Sequence, residues 1–385
     1  MPSAPKFTEV DWEAFDDGRR VRPSTVLWVV GFVALAALFA YRQWMAPSGT
    51  DLVLDWNPTY IDWLMLFSGW LFCALVVAPA VRNPRIPRQV WAHARKRPGV
   101  LLALCWLGLF TVVALVGPLL LERPHVHPAL KIQPPVFLTV PEGDVIDCLG
   151  TVSNGACHGT WRYPLGTNVS GTDVVKLLVL GARVAFDVAF IAGMLMLPLA
   201  VAVGSLAGYY GGLLDTVLMG YVDVQETLPA FLVYLIVVFL FREGLIFIVV
   251  VFGLFSWGPV ARVVRNTVRQ RTEETFVRAA AAAGGSKLYV LRKHVLPNVS
   301  PVALAAVSRQ VPFLVLAEVS LSFLDLNNPV LPSWGMTIAT GTGSYWAPFS
   351  HRWWSATFAV IVLATTIVAF VVAGNALQDV LDPRR

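Results

Sequence analysis

Charge is the scarcest ingredient of this sequence: Asp, Glu, Lys and Arg make up 14% of its 385 residues, against 56% hydrophobic ones. Soluble domains carry roughly a quarter of their residues charged. The composition therefore excludes an ordinary water-soluble domain, and a mean hydropathy of +0.65 agrees. Cysteine is nearly missing, with four in the chain, and no histidine and cysteine spacing suits zinc. No glycine-rich loop ends in Gly-Lys-Ser or Gly-Lys-Thr, so the chain has no phosphate cradle of its own. No nucleophile with a base, and no metal cluster, falls at membrane depth, which argues against a membrane-embedded enzyme. The first residues mix both signs of charge and lack a small-residue cleavage site, so 1–23 reads as a cytoplasmic tail. The net charge of +5 does not signal nucleic acid, because the basic residues cluster between apolar runs, where topology alone puts them.

What is abundant is apolar sequence in membrane-crossing lengths. Runs at about 24–41, 61–81, 99–121, 182–208, 214–241, 244–262, 301–325 and 354–376 are each long enough to span as helices. The expectation is an all-α polytopic membrane protein with eight spans. Arg82, Arg85, Arg88, Arg95, Lys96 and Arg97 follow the second run; Arg265, Arg269, Arg271, Arg278, Lys287, Arg292 and Lys293 follow the sixth. Both loops belong in the cytoplasm by the positive-inside rule. Alternation then puts both termini inside, and segments 122–176 and 326–352 outside. Three parts follow: the tail, two N-terminal helices with a basic loop over 24–98, and a core over 99–385.

Tyr209-Tyr210-Gly211-Gly212 makes a tight turn between the fourth and fifth runs, leaving 263–300 as the one sizeable central inner loop. Within it, Ala279 to Ala283 suits a helix, Gly284-Gly285-Ser286 breaks it, and a second helix ends at Leu296-Pro297. The pattern predicts a helical elbow, with Pro297 stopping its second limb before the membrane is re-entered.

Candidate polar residues lie inside apolar runs. Glu318 reads either as a group lining the pathway or as a packing hydrogen bond or ion pair, with Arg309 as one possible partner. Asp223 and Glu226, one turn apart, read as pathway groups or as a buried bonding network. Asp187 is one turn beyond Arg183, which favours local charge pairing. Cys148 and Cys157 share the outer segment, which favours a loop-closing disulfide over free thiols or a metal site with His158. Cys73 and Cys105 read as buried packing residues. Trp56, Trp63, Trp346, Trp353 and Trp354 fall near run ends, where interfacial anchoring is expected. Gly204 to Gly208 spaces small residues for close helix contact, and Asn168-Val169-Ser170 is a weak glycosylation triplet.

The loop at 278–297 resembles a family signature. Permeases of ATP-binding-cassette importers carry Glu-Ala-Ala, three residues, Gly, nine residues, Ile, one residue and Leu-Pro. Here Arg278-Ala279-Ala280, Gly284, His294 and Leu296-Pro297 keep that spacing, with Gly285 beside it and departures at Arg278 and His294. Pro164-Leu165-Gly166-Thr167, Ala207-Gly208-Tyr209-Tyr210-Gly211-Gly212, Glu318-Val319-Ser320-Leu321 and Pro332-Ser333-Trp334-Gly335 narrow the resemblance to the dipeptide and oligopeptide branch, over roughly residues 90–385. It implies a six-helix importer permease core with two additional N-terminal transmembrane helices, in the inner membrane. It also implies a second homologous permease, two cytoplasmic ATPase subunits that hold ATP and magnesium, and an extracytoplasmic solute-binding protein facing 122–176. The elbow would couple to the ATPases, and this chain would not be an enzyme. Peptide is the substrate the branch suggests; oligosaccharides and nickel are the alternatives within it. A different class, an ATP-independent secondary transporter, would bind protons or cations at Glu318, Asp223 and Glu226.

Overall fold

The computed structural model describes residues 23–45, 58–82, 84–121, 124–241, 244–326, 332–343 and 348–381. The first described helix is α1 (Pro23–Trp44); α2 (Tyr60–Phe72), a π turn over Cys73–Val77 and α3 (Ala78–Arg82) then form one helical stretch, Tyr60–Arg82. Thr59 and Asp62 close a capping box at the start of α2. The basic loop expected after this stretch is in fact helical: α4 spans Arg85–Lys96, and α5 begins at once at Pro98 and runs to Leu120. Proline is tolerated there because the first-turn N–H is unpaired in any helix.

The outer segment is more than loop. It forms a small antiparallel sheet of β1 (Thr139–Pro141), β2 (Val152–Ser153) and β3 (Ala156–His158) in the order β1-β3-β2, with Val140 opposite Cys157. Asp173 then caps α6 (Val174–Tyr210), its side chain accepting from the Val175 N–H at 2.9 Å, which starts this helix eight residues before the apolar run suggests. Next come α7 (Gly212–Thr227), α8 (Ala230–Phe241), α9 (Leu245–Phe255), α10 (Gly258–Thr272), α11 (Thr275–Ala282), α12 (Lys287–Val290) and α13 (Leu296–Phe323). Finally α14 (Trp334–Thr342) lies within the second expected outer loop, and α15 (Trp354–Leu381) closes the fold.

Among the described residues six helical stretches are long and apolar enough to cross a membrane: Tyr60–Arg82, Pro98–Leu120, Val174–Tyr210, Leu245–Thr272, Lys287–Phe323 and Trp354–Val380. The pair α7 and α8, bent by 71°, makes a seventh if it is one span, and α1 is apolar over the shorter Trp28–Trp44. The eight expected runs are all accounted for in this way, as six, one broken and one short.

The hub is α6. In its most apolar window 67% of the residues are buried, against 6% for Tyr60–Arg82, whose sides are left for lipid. Its small residues allow this: a Cβ on Gly204 would stand 2.4 Å from the Ala261 carbonyl oxygen, so α10 can seat only against glycine. Residues from α6, α9, α10 and α13, including Ile191, Met196, Phe252, Val264 and Leu314, form the main buried cluster.

Some expectations fail on this packing. Cys73 and Cys105 are exposed, because the stretches that carry them bury only one side. Trp63 is buried against Phe39, and Trp354 is buried and donates to the Thr167 carbonyl at 3.0 Å, so neither is an interfacial anchor; Trp56 and Trp346 lie outside the described residues. Pro297 does not end the second limb. Lys287–Phe323 is one continuous helix, because a π turn over Leu291–Val295 lets the Leu296 N–H reach back to Leu291 just before the proline.

Candidate functional site

The elbow is built by a helix stop. Gly284 takes φ +86°, the Gly285 N–H donates to the Ala280 carbonyl at 3.2 Å and the Gly284 N–H to Ala281 at 3.1 Å. This reciprocal pair is the Schellman arrangement, and its left-handed residue favours glycine. Ser286 then restarts the chain as α12, accepting from the Tyr289 N–H at 3.3 Å. His294, where the family carries an isoleucine, lies between the limbs, its ring 6.5 Å from that of Phe276 and 5.9 Å from that of Tyr289. It fills the place of an apolar side chain.

One side of the elbow is anchored and the other is bare. Val277, Val290, Leu291 and Val295 join the main core. Opposite them Phe276, Leu288 and Tyr289 are exposed, as are Arg278, Ala279, Lys287, Arg292 and Lys293. Residues 275–300 contain no Asp or Glu. The bare side is thus apolar at its centre and positively charged around it.

Behind the elbow, α7 and α10 are joined by ion pairs. Asp215, at the elbow end, is held by both Arg265 and Arg269, the latter at 2.5 Å. Further along, Arg262 bridges Asp223 and Glu226, 3.1 Å from the latter. The two candidate pathway carboxylates therefore share one cation. Sequence reasoning missed Asp215; the signal was there in Arg265 and Arg269, one turn apart and one turn beyond Arg262. Gln225 is buried beside them and donates to the Leu254 carbonyl at 2.7 Å, while its own oxygen has no partner.

Glu318 is 1% exposed, and Ser322, one turn on, donates its hydroxyl to it at 2.7 Å. Arg309 donates instead to Gln378 on α15 at 3.1 Å. Arg183 and Asp187 form a pair at 2.9 Å.

At the other end of the bundle Cys148 and Cys157 are joined by a disulfide. Around it Gln133 donates to the Asp147 carbonyl at 2.6 Å and accepts from the Leu149 N–H at 3.1 Å. Thr167 donates to Leu130 at 2.6 Å, and His351 contacts Asp144 at 2.5 Å. Asn168 is buried, its oxygen accepting from the Ser170 and Thr172 N–H groups, so its amide shapes the turn and is not presented for glycosylation. Among the described residues no group of three His, Cys, Asp or Glu side chains is placed to hold a metal.

Comparison with known proteins gives a consistent picture. Residues 200–385 match the family described as "Binding-protein-dependent transport system inner membrane component". The chain is 30% identical over 310 residues to the dipeptide transport system permease protein DppC of Bacillus subtilis, covering 80% of this chain and 89% of that one. It is 29% identical over 220 residues to the oligopeptide transport system permease protein OppC of Haemophilus influenzae, 57% of this chain and 70% of the relative. The Escherichia coli oligopeptide permease protein OppC is 31% identical over 220 residues, 57% and 72% of the two chains.

Proposed function

The chain belongs to the inner-membrane permeases of ATP-binding-cassette importers, in the dipeptide and oligopeptide branch, and from that premise we propose that it forms half of a peptide pathway driven through the elbow at 276–297. It is a multi-pass membrane permease subunit and not an enzyme. Hydrolysis of ATP, with its magnesium, belongs to two separate cytoplasmic subunits. A second, homologous permease completes the pathway, and a solute-binding protein delivers peptide to the segment 122–176. Both termini and the elbow then face the cytoplasm, in keeping with the cations of 82–97 and 265–293.

One observation carries the coupling role: the elbow is rooted in the core through Val277, Val290, Leu291 and Val295 yet leaves Phe276, Leu288 and Tyr289 exposed among the cations Arg278, Lys287, Arg292 and Lys293. Such a patch, rimmed by charge, fits a docking surface. Its occupant must supply carboxylates, because among the described residues Arg278, Lys287, Arg292 and Lys293 have no ion-pair partner, and Glu274, one turn before Arg278, is taken by Arg271 at 2.5 Å. The ATPase groove is accordingly acidic, most of all opposite Arg278, where the family signature has glutamate. Closure of the ATPases would push the elbow, and α13, continuous with its second limb, would carry the motion to the pathway together with α10, which packs against it. Asp223 and Glu226, which a cation-coupled carrier would need for its ion, are occupied by Arg262.

Affinity purification of the tagged chain in mild detergent tests this reading. Recovery of a second permease and two ATPases is expected, and Arg278→Glu should lose the ATPases alone. Recovery of the chain by itself, transporting in liposomes without ATP, would overturn the proposal.

A further inference from the structure

The helix α4 lies outside residues 200–385, the part that matches the family. It connects two membrane-spanning stretches, Tyr60–Arg82 and Pro98–Leu120, through Asn83 and Pro84 on one side and Arg97 on the other. Both stretches must meet the same face of the bilayer here. With so little chain at either end, α4 stays within reach of the lipid headgroups, since 12 residues of helix measure only about 18 Å.

The helix has two unlike sides. One is packed: Ala94 is fully buried with Val100 and Ala376, and Arg97, just past the helix, pairs with Asp379 of α15 at 3.1 Å. The other presents Arg88, Trp91, Ala92 and Arg95, all exposed and spaced to recur on one face, with Lys96 exposed beside them. Trp91 is 49% exposed, and the Arg95 guanidinium lies over its ring at 4.8 Å. Residues 82–97 hold six cations, Arg82, Arg85, Arg88, Arg95, Lys96 and Arg97, and no acid. Among the described residues none of Arg82, Arg88, Arg95 and Lys96 has an ion-pair partner, whereas Arg97 does.

We propose that this face of α4 is a binding site for the headgroups of anionic phospholipids. The topology rule explains why cations lie on this side of the membrane, but not why they line one face of an ordered helix with an exposed tryptophan among them. That arrangement fits a surface that is hydrocarbon-like at its edge and anionic above it: the indole ring enters the boundary, and the planar guanidinium groups take phosphate oxygens in pairs. Arg95, over the ring, keeps N–H donors for the phosphate. The Arg97–Asp379 pair and the buried Ala94 hold the helix so that this face points away from the bundle.

Native mass spectrometry of the full-length chain in neutral detergent tests the site, titrating dioleoyl phosphatidylglycerol against dioleoyl phosphatidylcholine. Wild-type protein should retain phosphatidylglycerol at least about ten-fold more tightly than the Arg88→Gln/Arg95→Gln/Lys96→Gln variant, with phosphatidylcholine retained equally by both. An Arg88→Lys/Arg95→Lys variant, which keeps the charge, should recover most of the difference, and an unchanged melting temperature shows that each variant is folded. Equal retention of phosphatidylglycerol by wild type and triple variant overturns the proposal. So does a triple variant that keeps its lipid but no longer copurifies with the ATPases, since that assigns the face to a protein.

Discussion

The two ends of the bundle handle their surfaces in opposite ways. At the disulfide end the chain completes itself: Gln133, Thr167 and Asn168 spend their hydrogen bonds on neighbouring backbone, and Arg352, almost fully buried, donates to the Gly341 carbonyl at 2.6 Å and to that of Gly343. At the elbow end the backbone is equally ordered, but aromatic and aliphatic side chains and unpaired cations are left outside. A surface that meets its receptor only transiently must keep its shape alone, whereas one that is never without its partner can leave part of its burial to that partner. Under the proposed function, this is the difference expected between a receptor-facing platform and a permanent docking knob.

Substitutions can break or sharpen that contrast. The largest effect belongs to Trp354→Ala, which removes a fully buried ring and the bond to Thr167; a loss of about 3–5 kcal/mol is expected in the detergent-solubilised chain by thermal unfolding. Next is Cys148→Ser/Cys157→Ser, which opens a loop of sequence separation 9 and should cost about 2–3 kcal/mol. The loss should show as faster proteolysis within 124–173 while the elbow keeps its protection. Asp215→Asn releases Arg265 and Arg269, and because Arg269 is half exposed the cost falls to about 1 kcal/mol, read as a small drop in melting temperature. The smallest change in stability, under about 0.5 kcal/mol, is expected for Leu288→Ser/Tyr289→Ser, although that variant should lose the ATPases on purification. If it instead unfolded the chain, the elbow would be core and the contrast would vanish.

The sequence made the spans and the elbow legible because both are local: apolar length and a glycine pair after an alanine helix need no knowledge of distant residues. Cys148 and Cys157 were readable as a pair for the same reason. What stayed hidden depends on distant contacts. Ala94 looks like any alanine in a basic loop until Ala376 packs on it, and Trp354 looks like an interfacial residue until Thr167 accepts from it. Asp215 gains its two arginines from 50 and 54 positions away. Pro297 misled in a different way: a helix stop is the ordinary reading of proline, and the π turn that accommodates it leaves no mark in composition.

That π turn also sets a phase. An α-helix turns about 100° per residue, and the turn at Leu291–Val295 contains one residue more than an α turn would. Were it to tighten into regular helix, Leu288 and Tyr289 would swing around the shaft by roughly that angle while Glu318, on the same shaft beyond the turn, stayed still. The angular offset between the knob and the buried carboxylate about their common shaft is thus set by the single extra residue of that turn.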